Sequence, residues 1–400
     1  MNEMQKWHKN GIFDVSCDIC YDIAMSLSIG IVGLPNVGKS TLFQALTKKE
    51  VAIANYPFVT IDPNVGVVAV PDERLEKLAV FSHSLKKIPA VVEFVDIAGL
   101  VRGANKGEGL GNQFLGHIRE VDAVVYVVRA FEDPNIQHVE NRVDPKADVE
   151  ILTTELILKD LETVGKHLVK VHKDARGGSK EAVIEVGILE KLQKGLEDGV
   201  MAYKTIGKLE SDLEREQVNE IMKGLQLLTA KKGIFVLNVS HGMGSTKGRK
   251  AIVGQTEPLG LGLEQYLDSF GFPQITINAR EELEGAGFSD EERAEIGLGS
   301  AKLPELSRVA YETLGLITFF TTGEDETRAW TVKQGSTAPE AAGVIHTDFQ
   351  EKFIRADVIP WDALLGAGSW SGAKTKGVMQ TVGKEYIMKD GDVMEVKHAS

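Results

Sequence analysis

Cysteine is nearly absent from this chain of 400 residues: there are two, Cys17 and Cys20, and both fall in the first 24 positions. The remainder must hold together without disulfides, which fits a reducing cytoplasm. The C-x-x-C spacing lacks the βαβ setting of a redox motif and the second ligand pair of a zinc site, so it reads as incidental. Long apolar runs are also missing. No segment approaches the roughly twenty uninterrupted apolar residues of a membrane helix, so no membrane partner is expected. Positive charge is in deficit: 45 lysines and arginines stand against 58 acidic residues, for a formal net charge of −13. Such a chain does not coat nucleic acid indiscriminately; DNA is not expected as a partner, and any RNA contact must use a local basic patch.

What the chain does contain is enough apolar material, 43% of residues, for two or three domain cores. Residues 1–24 have neither the basic start nor the sustained apolar run of a secretory signal, and they read as a disordered or mis-started extension. Order is expected to begin with Ser28-Ile29-Gly30-Ile31-Val32, a short apolar run of the kind that makes a buried strand. It leads into Gly33-Leu34-Pro35-Asn36-Val37-Gly38-Lys39-Ser40, a complete GxxxxGK[ST] match, and then into Thr41-Leu42-Phe43-Gln44-Ala45-Leu46, which has helical spacing. Strand, glycine-containing loop and helix form the context of a phosphate-binding loop. Its backbone N–H groups would close around phosphate oxygens, assisted by the positive end of the helix. Lys39 is suited to neutralising β- and γ-phosphate charge, and the Ser40 hydroxyl to ligating Mg2+. Nucleotide contacts are thus expected from Gly33 through Thr41.

A magnesium–nucleotide site also needs a carboxylate at the end of a neighbouring strand. Val91-Val92-Glu93-Phe94-Val95 supplies the strand, and Asp96-Ile97-Ala98-Gly99 supplies a DxxG turn. Asp96 would hold Mg2+, and the Gly99 amide would meet the γ-phosphate. Between the two motifs, the proline-punctuated loop Asn55–Asn64 carries Thr60. Thr60 is the candidate for completing the Mg2+ shell when triphosphate is bound. Gly103, Gly107, Gly109 and Gly111 then crowd a short stretch; it suits an order–disorder switch governed by the γ-phosphate.

These stretches resemble one family. GLPNVGKSTLFQALT, NYPFVTIDPNVGVV, VEFVDIAGLVRGANKGEGLGNQFL and RAWTVKQGSTAPEAAGVIHTDFQEKFIRADVI are similar to the Obg-like ATPase family, YchF, in order and over nearly the whole chain. The resemblance implies a TRAFAC-class P-loop NTPase that associates with the ribosome, or its large subunit including rRNA, and regulates translation or stress in the cytoplasm. Leu100 stands just after DxxG, where Ras-like enzymes carry the glutamine that orients the attacking water. The family shares this aliphatic replacement, and its proposed substitute is a histidine. The matching residue here is His138, able to accept a proton or position water near neutral pH. His117 is a second candidate, and a surface histidine without catalytic duty is the plain alternative for His138. Asn36 raises a further implication, a K+ ion beside the phosphates, as in related enzymes with hydrophobic switch residues.

Guanine-specific enzymes read the base with NKxD, whose aspartate accepts from guanine N1–H and N2–H2. Here the strand Gly233–Leu237 ends in Asn238-Val239-Ser240-His241, with neither the lysine nor the carboxylate. The family has NxxE there, and His241 departs even from that. A site without the acceptor leaves guanine donors unpaired, which favours ATP and leaves GTP open. Asn238 is expected at the purine edge, with Val239 beside it and a backbone amide near Ala279 over the base.

From Asp148 to about Lys232 the pattern turns helical. A stripe through Ile151, Leu152, Glu155, Leu158, Leu161, Val164, Leu168 and Val171 breaks at Gly177-Gly178-Ser179 and resumes at Val183, Val186, Leu189, Leu192 and Leu196. This spacing predicts an antiparallel helical hairpin. Lys166, Lys170, Lys173, Arg176 and Lys180 lie near its turn. Such a cluster is ordinarily a solvated tip; the resemblance adds contact with rRNA. After a helix at Leu303–Leu314, strands are expected at Ile317–Phe320, Arg328–Val332, Tyr386–Met388 and beyond the Asp390-Gly391 turn. This part resembles the TGS domain, a β-grasp module. Phe349, Lys352, Phe353 and Arg355 could form an RNA surface, although core burial of at least one phenylalanine is the plainer reading.

The expected fold class is α/β. A Ras-like P-loop NTPase domain (25–147 and 233–315, the latter with the linker helix) is interrupted by an inserted helical hairpin (148–232) and followed by a C-terminal β-grasp, TGS-like domain (316–400). The expected function is Mg2+-dependent hydrolysis of ATP to ADP and phosphate by a nucleotide-gated switch. A GTPase of ribosome assembly and a nucleotide-gated binding protein with incidental hydrolysis are the alternatives.

Overall fold

The computed structural model describes residues 27–48, 64–97, 110–133, 143–212, 215–240 and 261–398. Among the described residues, twelve strands build two six-stranded sheets. In chain order they are β1 (Ser28–Val32), β2 (Val65–Ala69), β3 (Lys86–Ile88), β4 (Val91–Asp96), β5 (Ala123–Ala130), β6 (Lys232–Val239) and β7 (Gln274–Ile277). Then follow β8 (Leu316–Thr322), β9 (Glu326–Lys333), β10 (Phe353–Pro360), β11 (Gln380–Val382) and β12 (Asp392–His398).

The first sheet has the order β2-β4-β1-β5-β6-β7. β2 is antiparallel to β4 and every other pair is parallel. β5 reads Ala-Val-Val-Tyr-Val-Val-Arg-Ala and is buried at every position, the pattern of a parallel strand with both faces covered. Local chemistry sets the helices around it. Lys39–Lys48 buries Leu42, Phe43, Ala45 and Leu46, one face at helical spacing. Asp72 starts Glu73–Ser82 by accepting the Arg74 amide at 2.9 Å, an N-cap bond that a short polar side chain makes readily.

The inserted helices begin three residues before the expected Asp148. Asp144 caps and Pro145 opens the helix Pro145–Arg176, as proline does where no N–H is needed. Ser179 caps the returning helix Lys180–Glu197, and His167 Nε2 meets Glu185 Oε1 across the pair at 2.7 Å. Leu152, Val164 and Val171 are buried with Ile188, Leu189, Leu192 and Leu196 in one core. Leu158 and Val183 leave the expected stripe and are 41% and 58% exposed; a helix in a pair buries one face, and residues off the seam stay wet. The insertion also extends beyond a hairpin, through Ala202–Asp212, Arg215–Leu225 and a 3-10 turn at Leu228–Ala230. Buried Asp160 ties that turn to the long helix, accepting from Leu228 N, Thr229 N and Thr229 Oγ1 at 2.8, 2.7 and 2.6 Å.

The second sheet has the order β11-β10-β12-β8-β9-β3. β8 and β9 form a hairpin, and β12 returns parallel to β8. The helix Ala338–Ile345, started by a Thr337–Glu340 capping box, buries Ala338, Ala341 and Ala342 in the core shared with this sheet, giving a β-grasp arrangement. β10 and β11 are not among the expected strands, and two further features differ from expectation. Tyr386–Met388 is not a strand: Ile387 makes an isolated bridge with Thr337. The flanking backbone instead serves the helix start, Tyr386 O accepting from Ala338 N and Met388 N donating to Ser336 O. The second feature is β3, which comes from the chain's first quarter yet forms the edge of the C-terminal sheet, parallel to β9 from Lys86↔Glu326 to Ile88↔Arg328.

Candidate nucleotide site

The strand ends of the first sheet converge where an open parallel sheet binds ligands, beyond its carboxyl edge. The phosphate loop follows β1, Asp96 closes β4, and Asn238 lies one residue before the end of β6. Ser40 Oγ donates to Asp96 Oδ2 at 3.4 Å. Lys39 Nζ folds back over the loop and donates to the carbonyls of Gly33 and Leu34 at 3.2 and 2.9 Å. Only 7% of Lys39 is exposed. Burial pulls its pKa down to about 8, against the attraction of Asp96. Burial pushes Asp96 the other way, above the usual carboxylate range, against Lys39 and the Ser40 hydrogen bond. Burial thus works against the charged form of both groups, and an anionic phosphate near Lys39 or a cation near Asp96 would favour it.

The loop depends on residues that tolerate unusual backbone. Asn36 has φ 61° and Gly38 φ 99°, the left-handed region that asparagine and glycine enter most easily. A Cβ on Gly33 would lie 2.5 Å from Val127 O, and one on Gly38 would collide with the Asn238 amide. Glycine at these two positions lets the loop pass over β5 and against β6. Leu34 and Val37 turn their side chains into the core, as does Val239, so these residues face a ligand only through backbone groups. Pro35 and Thr41 are half-buried, and Asn36 is exposed.

Asn238 has a different duty from the purine-edge contact expected of it. Its Nδ2 donates to Val37 O at 2.9 Å and its Oδ1 accepts from Ala279 N at 3.0 Å. The side chain, 5% exposed, thereby straps the phosphate loop to the helix Ala279–Glu284. That helix is secured in turn. Glu282, buried, accepts from Arg293 Nη2 and Lys302 N at 3.0 Å and from Leu303 N at 3.4 Å. Arg293, also buried, donates from Nε to Gly299 O at 2.7 Å. The Asn64 carbonyl accepts the amide of Asp96 at 2.9 Å. The partners of these supports are not legible from local sequence, because most of them come from other elements of the fold.

The structure thus brings together residues Gly33 to Thr41, Asp96, Asn238, Val239 and Ala279 at the carboxyl edge of the first sheet. Thr60, Gly99, Leu100, His138 and His241 lie outside the described residues. His117 is exposed on the helix Leu110–Glu120.

A mostly parallel sheet of this order, with a phosphate loop after its first strand and a carboxylate closing the adjacent one, defines a P-loop nucleoside triphosphatase. Comparison with known proteins narrows the class. Residues 28–159 match a family described as 50S ribosome-binding GTPase, and residues 316–399 match the YchF-GTPase C-terminal family, described as a protein of unknown function. The chain is 45% identical over 377 residues to the ribosome-binding ATPase YchF of Bacillus subtilis (strain 168), covering 93% of this chain and 99% of that one. It is 44% identical over 381 residues to the ribosome-binding ATPase YchF of Escherichia coli O157:H7, covering 92% and 98%. The structure of the Schizosaccharomyces pombe YchF GTPase matches with a TM-score of 0.80 at 39% identity, covering 93% of this chain and 98% of that one. The chain belongs to the YchF family.

Proposed function

We propose that the protein hydrolyses ATP to ADP and phosphate with Mg2+ and reports its nucleotide state to the ribosome, in the cytoplasm. The observation that carries the first part is the contact of Ser40 with Asp96 beside a buried Lys39 that folds back on the carbonyls of the phosphate loop. On binding, Lys39 would exchange the Gly33 and Leu34 carbonyls for β- and γ-phosphate oxygens. Ser40 Oγ and Asp96, hard oxygen donors already in contact, fit Mg2+, with Thr60 completing the protein's share of the shell. The bound ion would neutralise charge on the phosphate oxygens. The Gly99 amide would hold the γ-phosphate, and His138 would position the attacking water or take its proton in place of the glutamine that Leu100 displaces. A K+ ion at exposed Asn36 is a subsidiary proposal; equal turnover in matched KCl and NaCl would remove it.

Adenine is proposed over guanine because Asn238-Val239-Ser240-His241 offers guanine no carboxylate. The relatives' own names differ on this point, ATPase in two and GTPase in the third. Calorimetric dissociation constants for ATP, ADP, GTP and GDP with Mg2+ decide it. Adenine nucleotides binding at least about tenfold tighter support the reading; guanine binding as tight or tighter makes the protein a GTPase.

Two bacterial relatives carry ribosome binding in their names. On this chain Lys166, Lys170, Lys173, Arg176 and Lys180 are all exposed near the hairpin's tip, the local basic patch that an otherwise acidic protein needs to meet rRNA. Lys352 and Arg355 are exposed as well, but Phe353 is buried and Phe349 half-buried, so base stacking there is not part of the proposal. Replacing Lys170, Lys173 and Arg176 with glutamate should abolish co-sedimentation with large ribosomal subunits; undiminished co-sedimentation would remove the tip as the contact.

A further inference from the structure

The segment Asn64–Ile88 belongs to both sheets at once. Its first part, β2, pairs with β4 from Val65↔Val95 to Ala69↔Val91, and its leading carbonyl holds the amide of Asp96. Its last part, β3, is the edge strand on β9. Between them, the helix Glu73–Ser82 and its C-terminal turn are pinned to the second sheet. Thr322 Oγ1 donates to Ser82 Oγ at 2.7 Å, Ser84 Oγ donates to Gly323 O at 2.6 Å, and Leu85 N donates to Glu324 O at 2.9 Å.

Arg74 fastens the other end of that helix. Its Nε and Nη2 lie against Asp72 at 2.9 and 2.8 Å, its Nη1 reaches Asp390 Oδ2 at 2.5 Å, and its guanidinium stands 5.3 Å from the centre of the Phe320 ring. Asp390 Oδ1 also accepts from Thr318 N at 2.9 Å, which places the contact on β8 itself. Gly391 follows with φ 89°, and a Cβ there would press on Trp361 and on Arg74. The turn is therefore shaped to let the arginine in.

We propose that Asn64–Ile88 is a mechanical link between the phosphate site and the C-terminal sheet, with Arg74–Asp390 as its coupling contact. The inference rests on the nucleotide-binding reading above. Energetic coupling needs an element bonded to both sites that each can bias, and this segment is hydrogen-bonded at one end to Asp96 and at the other to β9. A shift at Asp96 on exchange of triphosphate for diphosphate moves β2, and the helix carries the shift to β3 and β8. The ion pair itself adds little to stability, since the Asp390 side chain is 51% exposed. Its geometry, with both Asp390 oxygens on the Arg74 guanidinium and Oδ1 also on Thr318 N, serves position more than strength.

The test is amide hydrogen exchange of the full chain with Mg2+ and either ADP or a non-hydrolysable ATP analogue, on wild type, Arg74→Ala and Asp390→Asn. Asp390→Asn keeps the acceptor for Thr318 N and removes the charge, so it remains informative if Arg74→Ala folds poorly. Calorimetry on the same samples measures nucleotide binding directly. In wild type, exchange at β3 and β8 should differ at least about fivefold between the two nucleotides, and the difference should disappear in the variants. Equal exchange with both bound nucleotides would overturn the link, as would a difference that persists in the variants. A lowered melting temperature with the difference intact would make Arg74 a structural residue only. No nucleotide binding to wild type would remove the nucleotide reading and the link together.

Discussion

Asn238→Ala tests whether the phosphate loop is held as its bonding says. The substitution removes one bond donated to Val37 O and one accepted from Ala279 N, at 2.9 and 3.0 Å. Each is worth about 1 kcal/mol net, and a buried group left unpaired costs about 1–3 kcal/mol. Water entering the space would satisfy part of this, so the expected loss is about 2–4 kcal/mol of stability. The phosphate loop also loses its tie to the Ala279–Glu284 helix, so nucleotide affinity should fall at least about tenfold, equivalent to 1.4 kcal/mol. Urea unfolding followed by circular dichroism gives the first quantity and calorimetry the second. Asn238→Asp is the control: it keeps an acceptor for Ala279 N but turns an oxygen towards Val37 O, and it should be about as damaging. Stability within about 0.5 kcal/mol of wild type, with unchanged affinity, would refute the strap.

Lys39 should take up a proton when phosphates bind. Its free pKa of about 8 rises beside anionic oxygens, so binding at pH 8.5 should consume a substantial fraction of one proton and binding at pH 6.5 almost none. Calorimetry in two buffers of different ionisation enthalpy reads the uptake, and identical enthalpies at pH 8.5 would contradict it. For the ligand-free protein the sign follows by linkage: the folded state binds fewer protons than the unfolded state between about pH 8 and 10.5, so this lysine's contribution to stability rises with pH there. Glu282→Ala leaves the buried Arg293 without its carboxylate and strips two backbone amides of their acceptor. It should cost about 3–5 kcal/mol in urea unfolding, and a loss below about 1 kcal/mol would show the pair to be dispensable. Gly38→Ala forces a side chain into φ 99° against Asn238. With strain of about 1–3 kcal/mol before the clash, nucleotide binding should weaken at least about tenfold; unchanged affinity would mean the loop relaxes freely.

The sequence by itself determined the features that are local. The phosphate loop, its strand and its helix occupy consecutive residues, and Asp96 closes a strand legible from five apolar-rich positions. The long inserted helices announce themselves by their apolar period and by the break at Gly177-Gly178-Ser179, although their start at Pro145 behind the Asp144 cap was not legible. Tertiary structure alone decided the rest. Lys86-Lys87-Ile88 has neither the length nor the alternation of a strand; it becomes one because β9 offers an open edge. Tyr386–Met388 has strand composition, but its backbone groups are taken by the start of the Ala338–Ile345 helix. Asn238 matches a base-reading motif, while its bonding to Val37 and Ala279 arises only when β6 lies beside the loop. Arg74 looks like any charged residue in a first helical turn until folding brings Asp390 to it. Periodicity and capping act within a few residues, whereas pairing across the chain depends on which edges and polar groups the assembled sheets leave to be satisfied.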